Sequence, residues 1–237
     1  MNIEKIKKRW YTPEQYNSDI IFRKMIYKAV DEDSHVLDVG AGVGEKFAYN
    51  LKNHVAEIVG VDVDPQVETN PLLHRGIVSD IVEIPIVNSY FDVVFSRYVL
   101  EHITEPQNFL NEMNRILKPG GRFIFLTPNK WHYVSIAASL SPHWFHKWYN
   151  LYLRGRKEVD TFPTVYYLNT ASTLRRQLIS MGFEEDVLLL HETCPNYLLW
   201  SAPSFYLGLA YERLVNSFDI LEDLKVNLLG CFKKKED

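Results

Sequence analysis

The sequence predicts an α/β protein whose core is a largely parallel β-sheet. Two observations carry this prediction. Short apolar runs rich in β-branched residues alternate with helical patterns over the first half of the chain. A glycine-rich turn, Gly40–Gly44, directly follows the first of these runs. Strands that alternate with helices at this spacing need crossover connections, and such connections make neighbouring strands parallel.

The single elements follow from periodicity and from end signals such as glycine, proline and capping residues. Strands are predicted at residues 35–40, 57–64, 92–96, 122–129, 185–191 and 226–234, with a further short strand that starts at Gly76. Helices are predicted at residues 20–30, 44–54, 169–182 and 204–215, and one more helix begins at Ile103 and stops at Pro119–Gly121.

Composition limits the kind of protein. The chain has 237 residues, of which 46% are hydrophobic and 24% are charged, values typical of one folded domain. The net charge of -4 and the lack of a long basic block predict no nucleic acid as a partner. Two distant cysteines, Cys194 and Cys231, predict a reduced, cytoplasmic protein. The uncharged stretch 194–211 contains prolines and is too short to predict a transmembrane segment.

The glycine-rich turn predicts a ligand site at the carboxyl edge of the sheet, where open α/β folds bind their ligands. Gly40 and Gly42 allow a sharp turn with no side chain above it, and Gly44 allows the next helix to pack closely. Asp62 ends the second strand about 20 residues later, where a carboxylate can accept hydrogen bonds from ribose hydroxyls. Asp80 follows the third strand and is placed to accept from a purine amine. A ligand that carries a nucleoside accounts for all of these residues.

A dinucleotide is one such ligand, and two details argue against it. The dinucleotide fingerprint G-x-G-x-x-G requires glycine at position 45, which is Glu. Glu45 would also place a negative charge where the pyrophosphate binds at the helix N-terminus. A cofactor with ammonium and sulfonium groups tolerates an acid there. An enzyme of the same fold that uses a nicotinamide cofactor is therefore kept only as an alternative.

Four ordered segments resemble class I S-adenosylmethionine-dependent methyltransferases, in particular the type-11 and type-23 groups. These segments are "VLDVGAGVG" (36–44), "GVDVDP" (60–65), "SDIVEIPIVNSYFDVVFSRYVLEHI" (79–103) and "ILKPGGRFIFLTPN" (116–129). The resemblance implies a Rossmann-like α/β fold with a seven-stranded, mostly parallel sheet, helices on both faces and an antiparallel last strand. It also implies S-adenosylmethionine as the cofactor and methyl transfer as the reaction. A non-catalytic binding module of the same fold is the second alternative.

The resemblance assigns cofactor-binding roles to residues that follow the first four strands. Asp62 is expected to bind the ribose hydroxyls, and Val63 is expected to pack on the adenine. Arg97 is unusual at its position, and its charge is expected to pair with either the cofactor carboxylate or an acidic substrate. The complete set comprises Asp38, Gly40, Ala41, Gly42, Gly44, Asp62, Val63, Asp80, Ile81, Ser96 and Arg97.

A hydroxyl acceptor benefits from a base whose pKa lies near neutrality, which predicts a catalytic histidine. His132 lies just after the fifth strand and is the first choice. His143 and His146 are the other candidates, and their spacing is also compatible with a two-histidine metal site. No third ligand is evident, so no metal is predicted. His102 is expected to anchor the segment after the fourth strand.

Acceptor specificity is expected to come from segments outside the repeating strand and helix pattern. Aromatic residues after the fifth strand suit stacking on sugar or ring faces, and a small-molecule, sugar or lipid-linked acceptor methylated at oxygen is predicted. The apolar helix at 204–215 has three candidate uses: a pocket wall, a homodimer contact or a peripheral membrane contact. The predicted organisation is one methyltransferase domain, 1–237, with an N-terminal lid segment, 1–19, that carries Tyr11 and Tyr16, and with two substrate-side insertions, 131–165 and 192–224.

Overall fold

The computed structural model describes residues 10–12, 15, 17–44, 50–140, 163–198 and 201–236. Seven strands within these residues form one sheet: β1 (His35–Val39), β2 (Glu57–Asp62), β3 (Arg75–Val78), β4 (Phe91–Arg97), β5 (Leu117–Pro128), β6 (Phe183–His191) and β7 (Asn227–Lys234). The strand order is β3-β2-β1-β4-β5-β7-β6. β7 runs antiparallel to both of its neighbours, and the other pairs are parallel. The predicted seven-stranded, mostly parallel sheet with an antiparallel last strand is confirmed.

The helices of the described residues connect these strands. They are α1 (Ser18–Ala29), α2 (Pro106–Ile116), α3 (Tyr133–Leu140), α4 (Ala171–Ser180) and α5 (Ala202–Ser217), with short 3-10 helices at Pro65–Thr69, Leu100–His102 and Asp219–Leu224. Asn17, Thr170 and Ser201 cap α1, α4 and α5, each with a side-chain oxygen that accepts a backbone N–H. Each such cap contributes about 1 kcal/mol, and the cap at Asn17 fixes where α1 begins.

Helices cover both faces of the sheet, as predicted. On one face, Phe22 and Ile26 of α1 are fully buried in a cluster with β-strand residues such as Phe95. The rings of Phe22 and Phe95 meet edge to face with centroids 6.2 Å apart. On the other face, residues of α2 and α4, among them Phe109 and Leu174, form a second buried cluster with β1, β4 and β5. Alternate residues of the central strands therefore enter two cores, which is why these strands are apolar throughout.

The junction between α2 and β5 differs from the prediction. The sequence predicts that Pro119–Gly121 end the helix and separate it from the next strand. In the structure α2 ends at Ile116 and β5 starts at Leu117, so Pro119–Gly121 lie inside the strand. Leu117 already pairs with Phe91 of β4, and the register then shifts before the regular pairing begins. The helix thus stops just before Pro119, as predicted, and the difference is that β5 begins before the proline and glycines instead of after them.

The helix predicted at 44–54 is wrong over its described part. Residues 50–54 form turns, and residues 45–49 lie outside the described residues. Leu51 and Val55 are buried in the core that contains Phe22. Their spacing of four residues is typical of a helix, but here it arises because two turn residues both face that core.

The second half of the chain contains the longest helix of the described residues. This helix, α5, has 16 residues, and it lies where the sequence predicts an apolar helix. None of the helices in the described ranges is long and apolar enough to cross a membrane.

Close packing of β5 against β7 leads to a prediction about Gly230. A Cβ atom at this position would overlap the ring of Phe125. Gly230→Ala is expected to lower the free energy of unfolding by about 1–3 kcal/mol, because the buried ring has to move in a packed core. Urea denaturation measures this change. Glu184→Gln on the exposed side of β6 is the control and should stay within about 0.5 kcal/mol. Equal stability of the two variants would contradict the packing argument.

Candidate active site

The glycine-rich turn follows β1 at the carboxyl edge of the sheet. Gly40, Gly42 and Gly44 have φ angles of 76°, 50° and 80°, a region that residues with a side chain rarely adopt. The N–H groups of Gly40 and Ala41 both donate to the carbonyl of Val61, at 2.8 and 3.2 Å. The turn is therefore bound directly to the end of β2, and glycine is required by its backbone geometry.

Asn70 holds the turn from its other side. Its Nδ2 donates to the carbonyls of Ala41 and Gly42, at 3.2 and 3.1 Å, and its Oδ1 accepts from the N–H of Leu72 at 2.9 Å. A Cβ atom on Gly44 would overlap this amide. The sequence predicts that Gly44 makes room for a helix, whereas in the structure it makes room for Asn70. Sequence reasoning missed Asn70, because an Asn before a proline is typical of any turn.

Asp62 lies beside the turn at the end of β2. Its Oδ2 accepts from the N–H of Gly42 and its Oδ1 from the N–H of Asp64, both at 2.9 Å. A carboxylate has about four acceptor positions, so each oxygen can accept one further hydrogen bond. Val63, next to it, is 50% exposed. An acceptor pair beside an exposed apolar side chain suits a ribose with an attached base.

The third strand brings Asp80 and Ile81 to the same edge. Asp62 pairs with Val78 in the parallel register of β2 and β3, so the segment after Val78 continues beside Asp62. The carboxylate of Asp80 is exposed and accepts from the N–H of Val82 at 3.1 Å, and Ile81 is half-buried. These positions agree with the expected adenine contacts, and the roles of both residues stay predictions.

The buried hydroxyl of Ser96 indicates whether this edge of the sheet has a polar group available to a ligand. It lies in β4 opposite Val39, the last residue of β1, and it is fully buried. Its Oγ has no hydrogen-bond partner among the described residues. A buried hydroxyl without a partner costs free energy, and a ligand seated beside the glycine turn can supply the partner. Asp38 pairs with Gly60 of β2 and Phe95 of β4 and so lies between the same strands.

Arg97 has a partner that the sequence did not predict. Its Nε and Nη2 donate to the two carboxylate oxygens of Asp19, at 2.6 and 2.8 Å, and its guanidinium lies 4.9 Å from the ring centre of Tyr98. The two expected partners were a cofactor carboxylate and an acidic substrate. In the structure a carboxylate of α1 takes this place, because α1 packs across the end of β4. A contact between residues 78 positions apart leaves no signal in local sequence.

His132 is buried more deeply than a general base should be. Its Nδ1 accepts from the N–H of Val134 at 3.3 Å, so its proton resides on Nε2. Nε2 has no hydrogen-bond partner in the described parts of the chain, and it lies 3.6 Å from Oε2 of Glu192, too far for a hydrogen bond. Burial lowers the pKa of His132 to about 3 and raises the pKa of Glu192 to about 8. Both groups are therefore uncharged at neutral pH, and the expected pKa near neutrality does not hold for His132 in this conformation.

The remaining histidine candidates lie elsewhere. His143 and His146 are outside the described residues, as are Tyr16 and Glu45. His102 meets the carbonyl of Pro163 through Nδ1 at 3.0 Å, which agrees with its expected anchoring role. Within the described parts of the chain, no group of three His, Cys, Asp or Glu side chains lies close enough to hold a metal ion.

A cavity of about 350 Å³ opens at the same edge of the sheet. The start of α1, the residue after β4, the loop after β6 and the start of β7 surround it. All four meet here because β7 is antiparallel and begins at the edge where β4 and β6 end. Sequence reasoning missed most of its lining, because these residues come from four separate parts of the chain. Tyr98, one of them, has a φ of 55° in the structure. The described lining residues are Asn17, Ser18, Tyr98, Thr193, Asn196, Tyr197, Val226 and Asn227.

Comparison with known proteins identifies the class. Residues 37–125 match the family model of the methyltransferase domain, Methyltransf_11. The chain is 25% identical over 206 residues to the ubiquinone biosynthesis O-methyltransferase of Coxiella burnetii, across 84% of this chain and 76% of that protein. It is 28% identical over 130 residues to the ubiquinone/menaquinone biosynthesis C-methyltransferase of Erwinia tasmaniensis, across 49% of this chain and 51% of that protein.

A solved structure supports the fold. Phosphoethanolamine N-methyltransferase 2 of Haemonchus contortus in complex with S-adenosyl-L-methionine superposes with a TM-score of 0.58 at 16% identity, over 93% of this chain and 53% of that one. These findings support a class I S-adenosylmethionine-dependent methyltransferase whose Methyltransf_11 domain spans residues 37–125. The predicted cofactor, S-adenosylmethionine, is confirmed, and neither the nicotinamide enzyme nor the non-catalytic module is retained.

The geometry around Asp62 leads to a prediction about cofactor affinity. Asp62→Asn keeps the shape but removes the charge and replaces one acceptor with a donor, so it cannot accept both backbone N–H bonds and two ribose hydroxyls. We expect S-adenosylmethionine to bind at least about tenfold more weakly. Titration calorimetry measures the affinity. Asp64→Asn is the matched control, because its side chain caps the 3-10 helix, where Asn caps equally well, and otherwise accepts only from the exposed side chain of Gln66. Equal weakening in both variants would argue against a direct role for Asp62.

Burial of Glu192 leads to a prediction about stability and pH. Burial raises the pKa of its carboxyl from the ordinary 4.5 to about 8 in the folded chain. The folded state therefore binds more protons between these values, and stability falls as the pH rises through this window. Glu192→Gln removes this dependence. Between pH 5 and pH 8, the free energy of unfolding should drop by a few kcal/mol more in the native chain than in the variant. Urea titrations at each pH measure the free energy of unfolding. If this free energy changed with pH in the same way in the native chain and in Glu192→Gln, the burial argument would be disproved. The exposed variant Glu184→Gln is the control and should follow the native curve.

Proposed function

We propose that this enzyme transfers the methyl group of S-adenosylmethionine to a hydroxyl oxygen of a small neutral acceptor, such as a sugar ring that is free or linked to a lipid. The observation that carries the proposal is the cavity of about 350 Å³ at the carboxyl edge of the sheet. It is linked to the glycine turn through one residue, because Val99, which follows cavity-lining Tyr98, packs on Gly40.

The lining of the cavity favours a polar, uncharged ring. Its volume is near the lower end for ligand pockets, which suits one ring rather than an extended chain. Tyr98 and Tyr197 offer aromatic faces, and the other lining side chains are mostly amides and hydroxyls. None of the described residues that line it is charged. A phosphate or carboxylate would find no cation there, whereas a polyol would find donors and acceptors.

The apolar surface of α5 supports a lipid-linked form of the acceptor. Gly208 of α5 packs against Pro195 and Leu198, in the loop that lines the cavity. Leu207 and Leu214 are 71% and 51% exposed on the same helix, and Ile220 just after it is 90% exposed. A hydrocarbon chain attached to the bound ring would find apolar contacts on this surface. The alternative uses of α5, a homodimer contact or a peripheral membrane contact, stay predictions.

The residues of this chain contribute alignment and a dry environment to the reaction. When bound, S-adenosylmethionine supplies a methyl carbon activated by the positively charged sulfur. We assign Asp62, Ser96 and the glycine turn to holding the cofactor and the cavity to orienting the acceptor oxygen in line with the methyl carbon. Alignment and exclusion of water account for several kcal/mol in such displacements. The relatives include O- and C-methyltransferases, so the choice of oxygen rests on the hydroxyl- and amide-rich lining.

An acceptor survey tests the proposal. The native chain is incubated with S-adenosylmethionine labelled in its methyl group and with methyl β-D-glucopyranoside, catechol or phosphoethanolamine. These probes present a sugar hydroxyl, a phenol hydroxyl and a charged amine. Label is expected on a hydroxyl probe, and lipid extracts fractionated in parallel identify a lipid-linked acceptor. Label found only on the amine, on protein or on RNA would overturn the proposed acceptor class.

Tyr197 provides a prediction about acceptor binding. Tyr197→Ala removes one aromatic face of the cavity and is expected to raise the KM of the hydroxyl probe about tenfold. The affinity for S-adenosylmethionine should remain unchanged. Steady-state kinetics and calorimetry measure these two quantities. Tyr167→Ala is the control, since Tyr167 is 55% exposed and does not line the cavity. An unchanged KM in Tyr197→Ala would show that the acceptor does not bind in the cavity.

A further inference from the structure

Three side chains from separate elements form a hydrogen-bonded group at the wall of the cavity. Ser18 is the first residue of α1, His191 is the last of β6 and Asn227 is the first of β7. Oγ of Ser18 lies 2.9 Å from Nδ1 of His191, and Nδ2 of Asn227 donates to the same Oγ at 2.9 Å. His191 and Asn227 are cross-strand partners in the antiparallel pair of β6 and β7. The sheet therefore fixes two of the three positions, and the cap of α1 fixes the third.

The donor and acceptor roles in this group can be assigned. The amide of Asn227 donates, so it occupies one lone pair of the Ser18 hydroxyl and leaves its proton available. Nδ1 of His191 can accept that proton, because a neutral imidazole has one accepting nitrogen. Ser18 and Asn227 line the cavity, whereas His191 lies behind Ser18 and is only half-buried. The group thus leads from the cavity through one hydroxyl to an imidazole that solvent can reach.

We propose that Ser18 and His191 form a proton relay that deprotonates the acceptor hydroxyl, with Asn227 as the positioning residue. This inference rests on the proposed methyl transfer to oxygen. As the acceptor oxygen forms its bond to the methyl carbon, the bond from that carbon to sulfur breaks and its electron pair stays on the sulfur. The acceptor proton moves to Oγ of Ser18, and the Ser18 proton moves to Nδ1 of His191. The resulting imidazolium returns a proton to solvent, so atoms and charge balance.

The charges around His191 are compatible with this role. Burial, and to a smaller extent Lys225, lower the pKa of His191, so the imidazole is neutral and able to accept a proton at neutral pH. Two carboxylates on neighbouring elements have other partners: Asp19 pairs with Arg97, and Glu192 accepts from the N–H of Val226 at 2.8 Å. His132, in contrast, is sealed from solvent, with 1% exposure.

Two variants test the relay with the same hydroxyl probes, methyl β-D-glucopyranoside and catechol. Ser18→Ala removes the bridging hydroxyl, and His191→Gln keeps a polar side chain that cannot take up a proton. We expect kcat to fall about 100-fold or more with the sugar, and less with catechol, because a phenol releases its proton more readily. The affinity for S-adenosylmethionine should stay within twofold. His54→Gln, an exposed histidine outside the site, is the control and should retain the native kcat.

The pH profile separates a relay from a purely structural role. In the native chain kcat should fall at acid pH as His191 becomes protonated, and this acid limb should disappear in His191→Gln. If Ser18→Ala weakens cofactor binding, its lower kcat is not counted. The loss of the acid limb in His191→Gln then tests the relay by itself. Variants that keep the native kcat and the acid limb would overturn the relay and leave the proposed function intact. Failure of the native chain to methylate a hydroxyl of either probe or of the lipid extracts would overturn the proposed acceptor class and the relay with it.

Discussion

The carboxylate of Asp62 and the amide of Asn70 hold the glycine turn between them, and the rest of the site depends on this contact. Three of the five turn residues are glycines, so the shape of the turn is set largely by what accepts its N–H groups and what donates to its carbonyls. Both partners belong to β2 or the segment after it. The parallel pairing of β1 with β2 therefore sets the position of the turn, and the pairing of β1 with β4 places Ser96 opposite Val39, the last residue before the turn.

A second contact joins the N-terminal part of the chain to the site. The bidentate pair of Arg97 with Asp19 ties the first turn of α1 to the end of β4, and both side chains are only 24% exposed. A pair of this geometry is stronger than an ordinary surface ion pair. It also brings Ser18 to the cavity wall. The ion pair with Asp19 thus has two effects. It occupies the guanidinium of Arg97, and it holds Ser18 in the proposed acceptor site.

Three ionisable side chains near the carboxyl ends of β4, β5 and β6 are deeply buried, and burial shifts the pKa of each towards its uncharged form. Burial raises the pKa of Glu101 to about 7, although Thr127 donates a hydrogen bond to it at 3.1 Å. Glu192 and His132 follow the same pattern. In the proposed reaction a positively charged sulfonium and a neutral hydroxyl give a neutral thioether and a neutral ether, and the positive charge leaves with the proton. Such a loss of charge is favoured where water is excluded.

The sequence by itself determined the strands, the glycine turn and the spacing of Asp62 and Asp80, because these depend on periodicity and on short-range backbone geometry. It also predicted the cofactor, since those local features occur in a fixed order along one sheet edge. Only the tertiary structure decided the partner of Arg97, the neutral state of His132 and the group of Ser18, His191 and Asn227. Ser18 and Asn227 are 209 positions apart, and they meet because an antiparallel strand starts where α1 begins. Contacts of that kind are set by packing and desolvation, for which no local pattern in the chain is a guide.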